Sequence, residues 1–495
     1  MIPATWRSPA QTARVMFLRT LMIMLLVVCG LSPAIAVQTD VRDEASRRRS
    51  MQRINPAMPR PMKIDPQRVE AAGISVLRGK HITLYTDVRV EASANQEATE
   101  KQTDPRQRWI ELFDAAVPLW FEKFDIDRSL AKHYALTAIV MQDQQRFKQA
   151  RLIPDDLPNF PAGYSRGHEF WMYAQPDDYY TRHLMLHEGT HAIMNWFKGS
   201  TGPPWYSEGM AEWMALHDWD GENLELAAKI RSVDDSKGWG RIGRIKKMVA
   251  ANSALSLDDV FNIPQSGFRD VKYYAWSWAA CEFLSEHPLS ARAFARLPDS
   301  VDERQIEFNR SFIKALAPHR EALDRDWALF INELDYGYDV RAARLTEATP
   351  VESSNSTQGR SETFQVSASQ SWQTTGIKVR QGDRIGISAA GEIVVGETTK
   401  PWVSQAGGIT IDYYSGQPLG KLMASVVPEN LSQQDVAEVR AFDSIAVGTG
   451  AAIAGSGPKV HIIPSDGVLW LRINESPARL GDNSGHLEVS IFKLK

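Results

Sequence analysis

The segment from Thr181 to Trp213 constrains this chain more than any other, because it combines an apolar helix pattern with paired histidines. His187 and His191 lie one helical turn apart, so both imidazoles can face the same metal ion. Glu188 follows His187 and is placed to act as a general base on a water activated by that ion. A catalytic zinc takes three protein ligands and leaves one position open. The segment therefore predicts a zinc-binding helix that lacks one ligand.

The missing ligand is predicted to be Glu208, in the phrase WYSEGMAEW downstream of His191. Glu212, one turn later, can accept a hydrogen bond from the second ring nitrogen of a ligand histidine. A solvated helix surface is the alternative for both carboxylates, but the neighbouring tryptophans and methionine argue against it. His183, one turn before His187, is expected to pack or to support the ligands rather than bind the metal.

Two histidines at this spacing can also occur by chance on a surface helix. Here the residues around them are apolar, which predicts that the helix is buried. Buried imidazoles and a buried Glu188 would be costly without a partner such as a metal. The apolar neighbours are Leu184, Met185, Leu186, Ala192, Ile193 and Trp196.

Length and charge restrict the remaining classes. The chain has 495 residues, which is too long for one ordinary domain, and its net charge of −4 argues against nucleic acid as the main partner. Three arginines precede the apolar run Leu21–Val28, and an A-x-A site ends at Ala36. This predicts a signal peptide over 1–36, a secreted or periplasmic protein, and no stable transmembrane span after cleavage. A retained N-terminal anchor, or lipidation at Cys29, are the alternatives.

The pattern of apolar, polar, Gly and Pro residues divides the rest of the chain into an α+β part followed by an all-β part. Strands are expected at His81–Asp87, Ala135–Gln142 and Phe170–Gln175, and helices at 104–124, Asp178–Lys198, Ser207–Asp218 and Leu224–Val233. Cys281 is expected to be a buried thiol. The predicted divisions are an extended segment 37–75, an α/β part 76–220, a helical part 221–345, a linker 346–361 and a β-sandwich or jelly roll 362–495.

HEGTH followed by WYSEGMAEW resembles the gluzincin zinc metallopeptidases, over residues 80 to 340. The resemblance implies a zincin-like catalytic domain completed by a helical subdomain. It implies zinc bound by His187, His191 and Glu208, with Glu188 as the catalytic base. It also implies that the strand FWMYAQ is an edge strand that pairs with an extended peptide.

The phrase YAWSW resembles the start of a downstream helix in the same group, and this implies that Tyr274 donates to the oxyanion of the tetrahedral intermediate. Tyr273 is adjacent, so the assignment can shift by one residue. A core tyrosine without a catalytic role is the alternative for Tyr274.

The end of the chain resembles the bacterial calcium-dependent galactophilic lectins, which are small jelly-roll domains. The resemblance covers Trp372 to Leu494 and rests on WQTTGIKVRQGDRIGISAAG, PLGKLMASV and INESPARLGDNSG. It implies calcium contacts from the side chains of Glu475, Asp482 and Asn483 and from the carbonyls of Val395 and Arg479. A polar hairpin loop without an ion is the alternative.

Two departures weaken the sugar-binding part of that resemblance. Those lectins have Asp where this chain has Glu475, and their sugar-gripping His has no match in GGITIDYYSGQPLG. Galactose specificity is therefore not implied, and carbohydrate binding by the β domain stays open.

Together these features predict an exported zinc peptidase, most simply an endopeptidase acting on peptides or proteins, with a lectin-like accessory domain. Two alternatives remain open. One is a catalytically inactive zincin scaffold that binds a surface or a glycan. The other is a zinc amidase that acts on cell-wall peptides.

Overall fold

The computed structural model describes residues 62–89, 104–356, 359–428, 445–446 and 459–494. The predicted signal peptide, Cys29 and residues 37–61 of the predicted extended segment lie outside these ranges. The helices are α1 Pro66–Ala71, α2 Pro105–Lys123, α3 Gln144–Gln149, α4 Asp178–Lys198, α5 Pro204–Met214, α6 Arg241–Ala250, α7 Leu257–Phe261, α8 Val271–Glu286, α9 Ala291–Phe294, α10 Gln305–Leu316, α11 Arg320–Glu333 and α12 Val340–Ala343. Within the described ranges, no helix combines the length and apolarity that crossing a membrane requires.

The strands fall into two groups, β1–β7 before residue 227 and β8–β20 after residue 345. They are β1 Ser75–Arg78, β2 Ile82–Thr86, β3 Leu136–Met141, β4 Gly163–Arg166, β5 Glu169–Tyr173, β6 His217–Trp219, β7 Leu224–Leu226, β8 Thr346–Glu347, β9 Thr349–Ser356, β10 Gly359–Ser367, β11 Gln373–Val379, β12 Arg384–Ala390, β13 Ile393–Glu397, β14 Pro401–Ser404, β15 Gly407–Tyr414, β16 Gln417–Val427, β17 Ile445–Ala446, β18 Lys459–Ile462, β19 Gly467–Ile473 and β20 Ser484–Leu494.

A mixed five-stranded sheet in the order β1-β2-β3-β5-β4 supports the histidine helix. Successive side chains of a strand point to opposite faces, and this sheet uses both faces. Ala138 and Phe170 contribute to the main core, which also contains residues of α2 and α4. Ile139 and Trp171 contribute to a second core, which also contains residues of α1 and α3. The predicted α/β packing is confirmed.

The edge strand of this sheet differs from the expectation. FWMYAQ forms β5, which lies between β3 and β4, so its prediction as the edge strand is wrong. The edge strand is β4. It follows a Pro-rich stretch, so the sequence did not indicate a strand there. Gly167 takes a positive φ of 64° and turns the chain, so that Arg166 pairs with Glu169 in an antiparallel hairpin.

Two local predictions before residue 230 are also wrong. The segment 37–75 is not extended throughout, because Asp65 caps α1 and Pro66 occupies its first turn. Leu224–Val233 is not a helix, because Leu224 and Leu226 form β7 and pair with β6. Asp220 forms the turn between those strands by accepting hydrogen bonds from the backbone of the two residues that precede β7.

Helices α6 to α12 form the predicted helical part. α7 begins with a capping box between Ser256 and Asp259, and α8 carries the buried thiol of Cys281, as predicted. α8 packs closely against α5, because a β-carbon at Gly209 would lie 2.5 Å from the carbonyl oxygen of Ser277. Only a residue without a side chain allows this approach, which fixes α5 beside α8.

The C-terminal part is all β, as predicted. Among the described strands, one sheet has the order β14-β13-β20-β10-β9 with β12 and β18 attached, and the other has β15-β16-β19-β11-β8 with β17 attached. Side chains from both sheets, such as Ile387 and Leu471, share one core. The predicted linker 346–361 is wrong, because its described residues 346–356 and 359–361 form β8, β9 and the start of β10. Thr residues have a high β propensity and fit such strands as well as loops.

The β region packs directly against the helical region. Leu329 of α11 shares an apolar cluster with Trp372, Met423 and Trp470. Beside this cluster, the Arg472 guanidinium lies 2.7 Å from a carboxylate oxygen of Glu333.

Candidate metal centre

Helix α4 presents His183, His187 and His191 at successive turns of one face. Asp177 caps its N-terminus, and Gly199 ends it in the left-handed conformation. A β-carbon at Gly189 would lie 2.6 Å from the Trp120 ring, so α4 can approach α2 this closely only with glycine at that position. The predicted burial of the helix is confirmed, with His187 only 6% exposed.

Helix α5 brings Glu208 to two of these histidines. One carboxylate oxygen of Glu208 lies 3.4 Å from Nε2 of His187 and 3.4 Å from Nε2 of His191. Ligand atoms from these three residues all lie within 4.8 Å of one another, which is close enough for one metal ion. The structure therefore brings together the three side chains that the sequence predicted as ligands.

A second triad, deeper in the protein, could also hold a metal. It consists of His183, His187 and Glu212, whose ligand atoms again lie within 4.8 Å of one another. Glu212 lies 3.5 Å from Nε2 of His183 and 3.6 Å from Nδ1 of His187. The two triads share His187. Its Nε2 faces Glu208 and its Nδ1 faces Glu212.

Other partners already occupy the Glu212 carboxylate. Arg241 donates to both of its oxygens, at 2.9 and 3.1 Å, and the Trp239 indole donates to one at 2.9 Å. Burial raises the pKa of Glu212, but Arg241 and His183 outweigh burial and hold the pKa well below its usual range. Glu212 is therefore a buried, fully hydrogen-bonded anion, which suits it to orient His187.

Glu188 lies beside the Glu208 triad and against strand β4. Its side chain is so close to Gly163 that a β-carbon at that position would be 2.3 Å from Oε1 of Glu188. Burial raises the pKa of Glu188 to about 8; His191 opposes the rise, while Glu208 and Glu212 add to it. In the metal-free protein, Glu188 can therefore bind a proton near neutral pH.

Glu208 has the opposite protonation behaviour. Burial raises its pKa, but His191 and His187 together outweigh burial and lower the pKa to about 2. Glu208 is therefore ionised over the whole physiological range, as a metal ligand has to be. Two neighbouring carboxyl groups, Glu188 and Glu208, thus differ in their readiness to take up a proton.

Tyr274, at the start of α8, faces this site. Its ring centroid lies 6.2 Å from that of His187, and the Arg241 guanidinium lies 5.9 Å from its ring. Burial raises the pKa of Tyr274, and the neighbouring glutamates raise it further, so the hydroxyl remains a hydrogen-bond donor at neutral pH. Tyr273 instead lies under the ammonium group of Lys272, at 4.9 Å.

Only some of the predicted calcium ligands are placed where they could share an ion. Asn483 is 6% exposed, and its side-chain oxygen is buried with no hydrogen-bond partner among the described residues. Asp482 lies next to the strand of Val395, since a β-carbon at Gly396 would be 3.7 Å from its carboxylate.

Glu475, in contrast, is turned towards protein partners. Its carboxylate accepts hydrogen bonds from the Arg479 guanidinium and the Ser476 backbone amide, both at 2.9 Å. Arg479 was predicted to bind calcium through its backbone carbonyl. Its guanidinium instead neutralises the Glu475 carboxylate. Of the described residues, only the two histidine triads bring three histidine, cysteine or carboxylate ligands together.

Sequence reasoning missed three residues of the site: Gly163, Trp239 and Arg241. Gly163 lies in a loop-like sequence, and the two others belong to a segment without a metal-site motif. A signal existed for Arg241, because a buried Glu212 needs a positive partner. Nothing in the sequence identified which arginine supplies it.

Comparisons with known proteins add little to this description. No protein-family model matches the chain, and no curated protein matches it significantly. The C-terminal region aligns with a solved structure described as "EclA N-terminal domain; PllA-like lectin" at 18% identity, covering 26% of this chain and 94% of that chain, with a TM-score of 0.19. The description of the β region rests on its own strand pairing.

Proposed function

We propose that this protein is a zinc-dependent peptidase whose metal is held by His187, His191 and Glu208. The observation that carries the proposal is the convergence of two Nε2 atoms on one Glu208 oxygen, at 3.4 Å each, directly beside Glu188. Two imidazoles and one carboxylate form a donor set typical of catalytic zinc. The set leaves one coordination position for water or substrate.

The Glu208 triad fits a cation better than the Glu212 triad does. Glu212 already accepts three hydrogen bonds, and the Arg241 guanidinium at 2.9 Å would repel a second positive charge. The groups that lower the pKa of Glu208 are His191 and His187, and a neutral histidine can bind a metal ion. In this proposal the Glu212 carboxylate, 3.6 Å from Nδ1 of His187, holds that side of the ring by its charge and so directs Nε2 towards the metal.

The proposed reaction is the addition of water to a peptide carbonyl. Zinc, when bound, polarises that carbonyl and makes a water molecule more acidic. Glu188 removes a proton from the attacking water and later delivers it to the leaving nitrogen. Tyr274 donates a hydrogen bond to the carbonyl oxygen as negative charge develops there.

The edge strand β4 supports an extended peptide as the substrate. Its outer edge is free of a neighbouring strand among the described residues, and Gly163 brings it against Glu188. A peptide added to this edge would form main-chain hydrogen bonds with β4 and would lie beside the base. A cell-wall peptide offers the same backbone, so proteins and wall peptides are both substrates to test.

A second proposal concerns calcium in the β region. It is supported by the unpaired, buried oxygen of Asn483 and by the nearby carboxylate of Asp482. Calcium would satisfy both oxygens. Calorimetric titration of calcium into wild type and Asn483→Ala tests this, and equal heats for the two proteins would refute it. Secretion or residence in the periplasm is proposed from the predicted signal peptide alone.

The peptidase proposal is tested with a mixed peptide library and the zinc-loaded protein. We expect cleavage that stops with a zinc chelator, returns with zinc, and is absent in Glu188→Gln. Glu303→Gln, an exposed carboxylate without a described partner, is the matched control and should cleave normally. Cleavage that persists in Glu188→Gln refutes the mechanism. Stoichiometric zinc without cleavage by either protein favours the inactive scaffold.

A further inference from the structure

A cleft of about 540 Å³ lies along the junction between the helical region and the β region, separate from the metal centre. Asn332 and Glu333 of α11 line one side, together with the C-terminal end of α6. Trp372, Tyr414 and Gln417 line the opposite side. The volume lies within the range of clefts that hold small ligands.

The walls of this cleft are fixed by buried contacts. Arg472 forms an ion pair with Glu333 at 2.7 Å, and the indole of Trp372 donates to the same carboxylate at 3.1 Å. The Arg472 guanidinium also stacks near the rings of Trp372 and Tyr414, at 5.1 and 5.2 Å from their centroids. The Asn474 amide donates to three carbonyls of the turn that begins at Tyr414. The cleft is therefore preformed.

The charges in the lining are already paired. Glu333 is neutralised by Arg472, and Lys246 forms an ion pair with Asp335 at 2.9 Å. A charged ligand would have to compete with these partners, which lowers its net gain.

The remaining polar groups of the lining are neutral. Gln417 uses its amide oxygen to accept from Lys421 at 2.9 Å, which leaves an NH₂ donor. Asn332 uses its NH₂ group to donate to the Ala328 carbonyl at 2.8 Å, which leaves an oxygen acceptor. Ser415 adds a hydroxyl to the lining of the cleft.

We propose that this cleft binds an uncharged saccharide, of one or two rings, without a metal ion. Hydroxyl groups both donate and accept, which matches the neutral donor and acceptor left on Gln417 and Asn332. The half-buried Tyr414 ring supplies an apolar surface for the C–H face of a sugar ring. The site is built from both regions of the chain. Its lining contains none of the predicted zinc ligands and none of the predicted calcium ligands, so it is independent of both proposed metal sites.

The test is calorimetric titration of the full chain with lactose, cellobiose and N,N′-diacetylchitobiose, in the presence of a chelator that removes zinc and calcium. We expect at least one of them to bind. Gln417→Ala should weaken binding about 3- to 10-fold, because it removes one neutral hydrogen bond. Ala250→Trp, which places a large ring in the cleft from the end of α6, should abolish binding.

Two matched variants control for general effects. Gln381→Ala changes an exposed glutamine outside the cleft, and Lys247→Trp adds an indole to an exposed position of α6 that does not line the cleft. Both should bind like wild type. The proposal is overturned if no saccharide of the set binds. It is also overturned if Gln417→Ala and Ala250→Trp bind normally while thermal melting shows that both are folded. Binding that needs calcium and is lost in Glu475→Gln would also overturn it.

Discussion

Gly163 and Glu188 are in direct contact, and a β-carbon at position 163 would lie only 2.3 Å from Oε1 of Glu188. The edge of the sheet and the proposed base are thereby fixed relative to one another. Gly163 has no positive φ, so space rather than backbone conformation requires the glycine. An extended substrate on β4 would therefore lie close to the group that removes the proton.

Gly163→Ala should separate catalysis from metal binding. The added methyl group displaces the Glu188 carboxylate, and a displacement of about 1 Å can reduce a rate about 100-fold. Zinc affinity should remain near wild type, because the three ligands do not contact this residue. Gly243→Ala is the control, since nothing lies within 4 Å of its added carbon. Equal kcat/KM for the two variants would contradict the contact.

The metal-free protein should lose stability from Glu188 as the pH rises. The pKa of Glu188 is about 8 in the folded protein and 4.5 without burial, so below pH 4.5 the group is protonated in both states. Between pH 4.5 and 8 the unfolded chain releases this proton while the folded chain keeps it, which favours unfolding. Each pKa unit is worth about 1.4 kcal/mol, so a loss of a few kcal/mol is expected.

The measurement is urea unfolding of metal-free wild type and Glu188→Gln between pH 5 and 8. Gln cannot ionise, so the variant serves as the reference for all other titrating groups. Wild type should become less stable relative to the variant as the pH rises. A constant difference between the two would show that Glu188 titrates normally.

Glu212→Gln should weaken zinc binding without removing a ligand. The substitution removes the negative charge that orients His187 and pairs with Arg241, and losses of about 10- to 100-fold in metal affinity are typical for such partners. Competition with a chelator of known affinity measures the change. Glu225→Gln, an exposed strand residue, is the matched control. Complete loss of zinc at stoichiometric concentration would instead identify Glu212 as a ligand.

Glu333→Ala should destabilise the attachment of the β region. The change leaves Arg472 buried without its partner, since the Arg472 side chain is only 5% exposed. Removing one partner of a buried pair costs about 3–5 kcal/mol. Asp383→Ala is the control, because its partner Lys493 is 57% exposed and such pairs contribute at most about 1 kcal/mol. Thermal unfolding compares them, and equal losses would contradict a buried junction.

The sequence predicts many local elements and the grouping of the three candidate ligands, because both depend on short spacings. His187, His191 and Glu208 lie on two largely buried helices, and α4 occupies the range that the apolar pattern indicates. The order of strands in a sheet cannot be predicted in this way, because it depends on contacts between distant segments. β4 follows a Pro-rich stretch, so the sequence does not indicate it as a strand, and the edge position predicted for β5 rests on the family resemblance alone.

The partners of Glu212 illustrate the same difficulty. Trp239 and Arg241 lie in a segment after the β6–β7 hairpin, and only the three-dimensional path of that segment returns them to α5. In the β region, residues 346–361 have a linker-like composition, yet hydrogen bonding to β10 and β11 makes them strands. Partners outside the local segment decide the positions of Trp239, Arg241 and β8, whereas β9 and β10 are consecutive strands that pair as a hairpin.

The proposed position of the metal lies between His187, His191 and Glu208. Crystals grown with zinc and measured on both sides of the zinc absorption edge test it directly. We expect one strong anomalous peak within bonding distance of Nε2 of His187, Nε2 of His191 and the Glu208 carboxylate. A peak between His183, Nδ1 of His187 and Glu212 would contradict it.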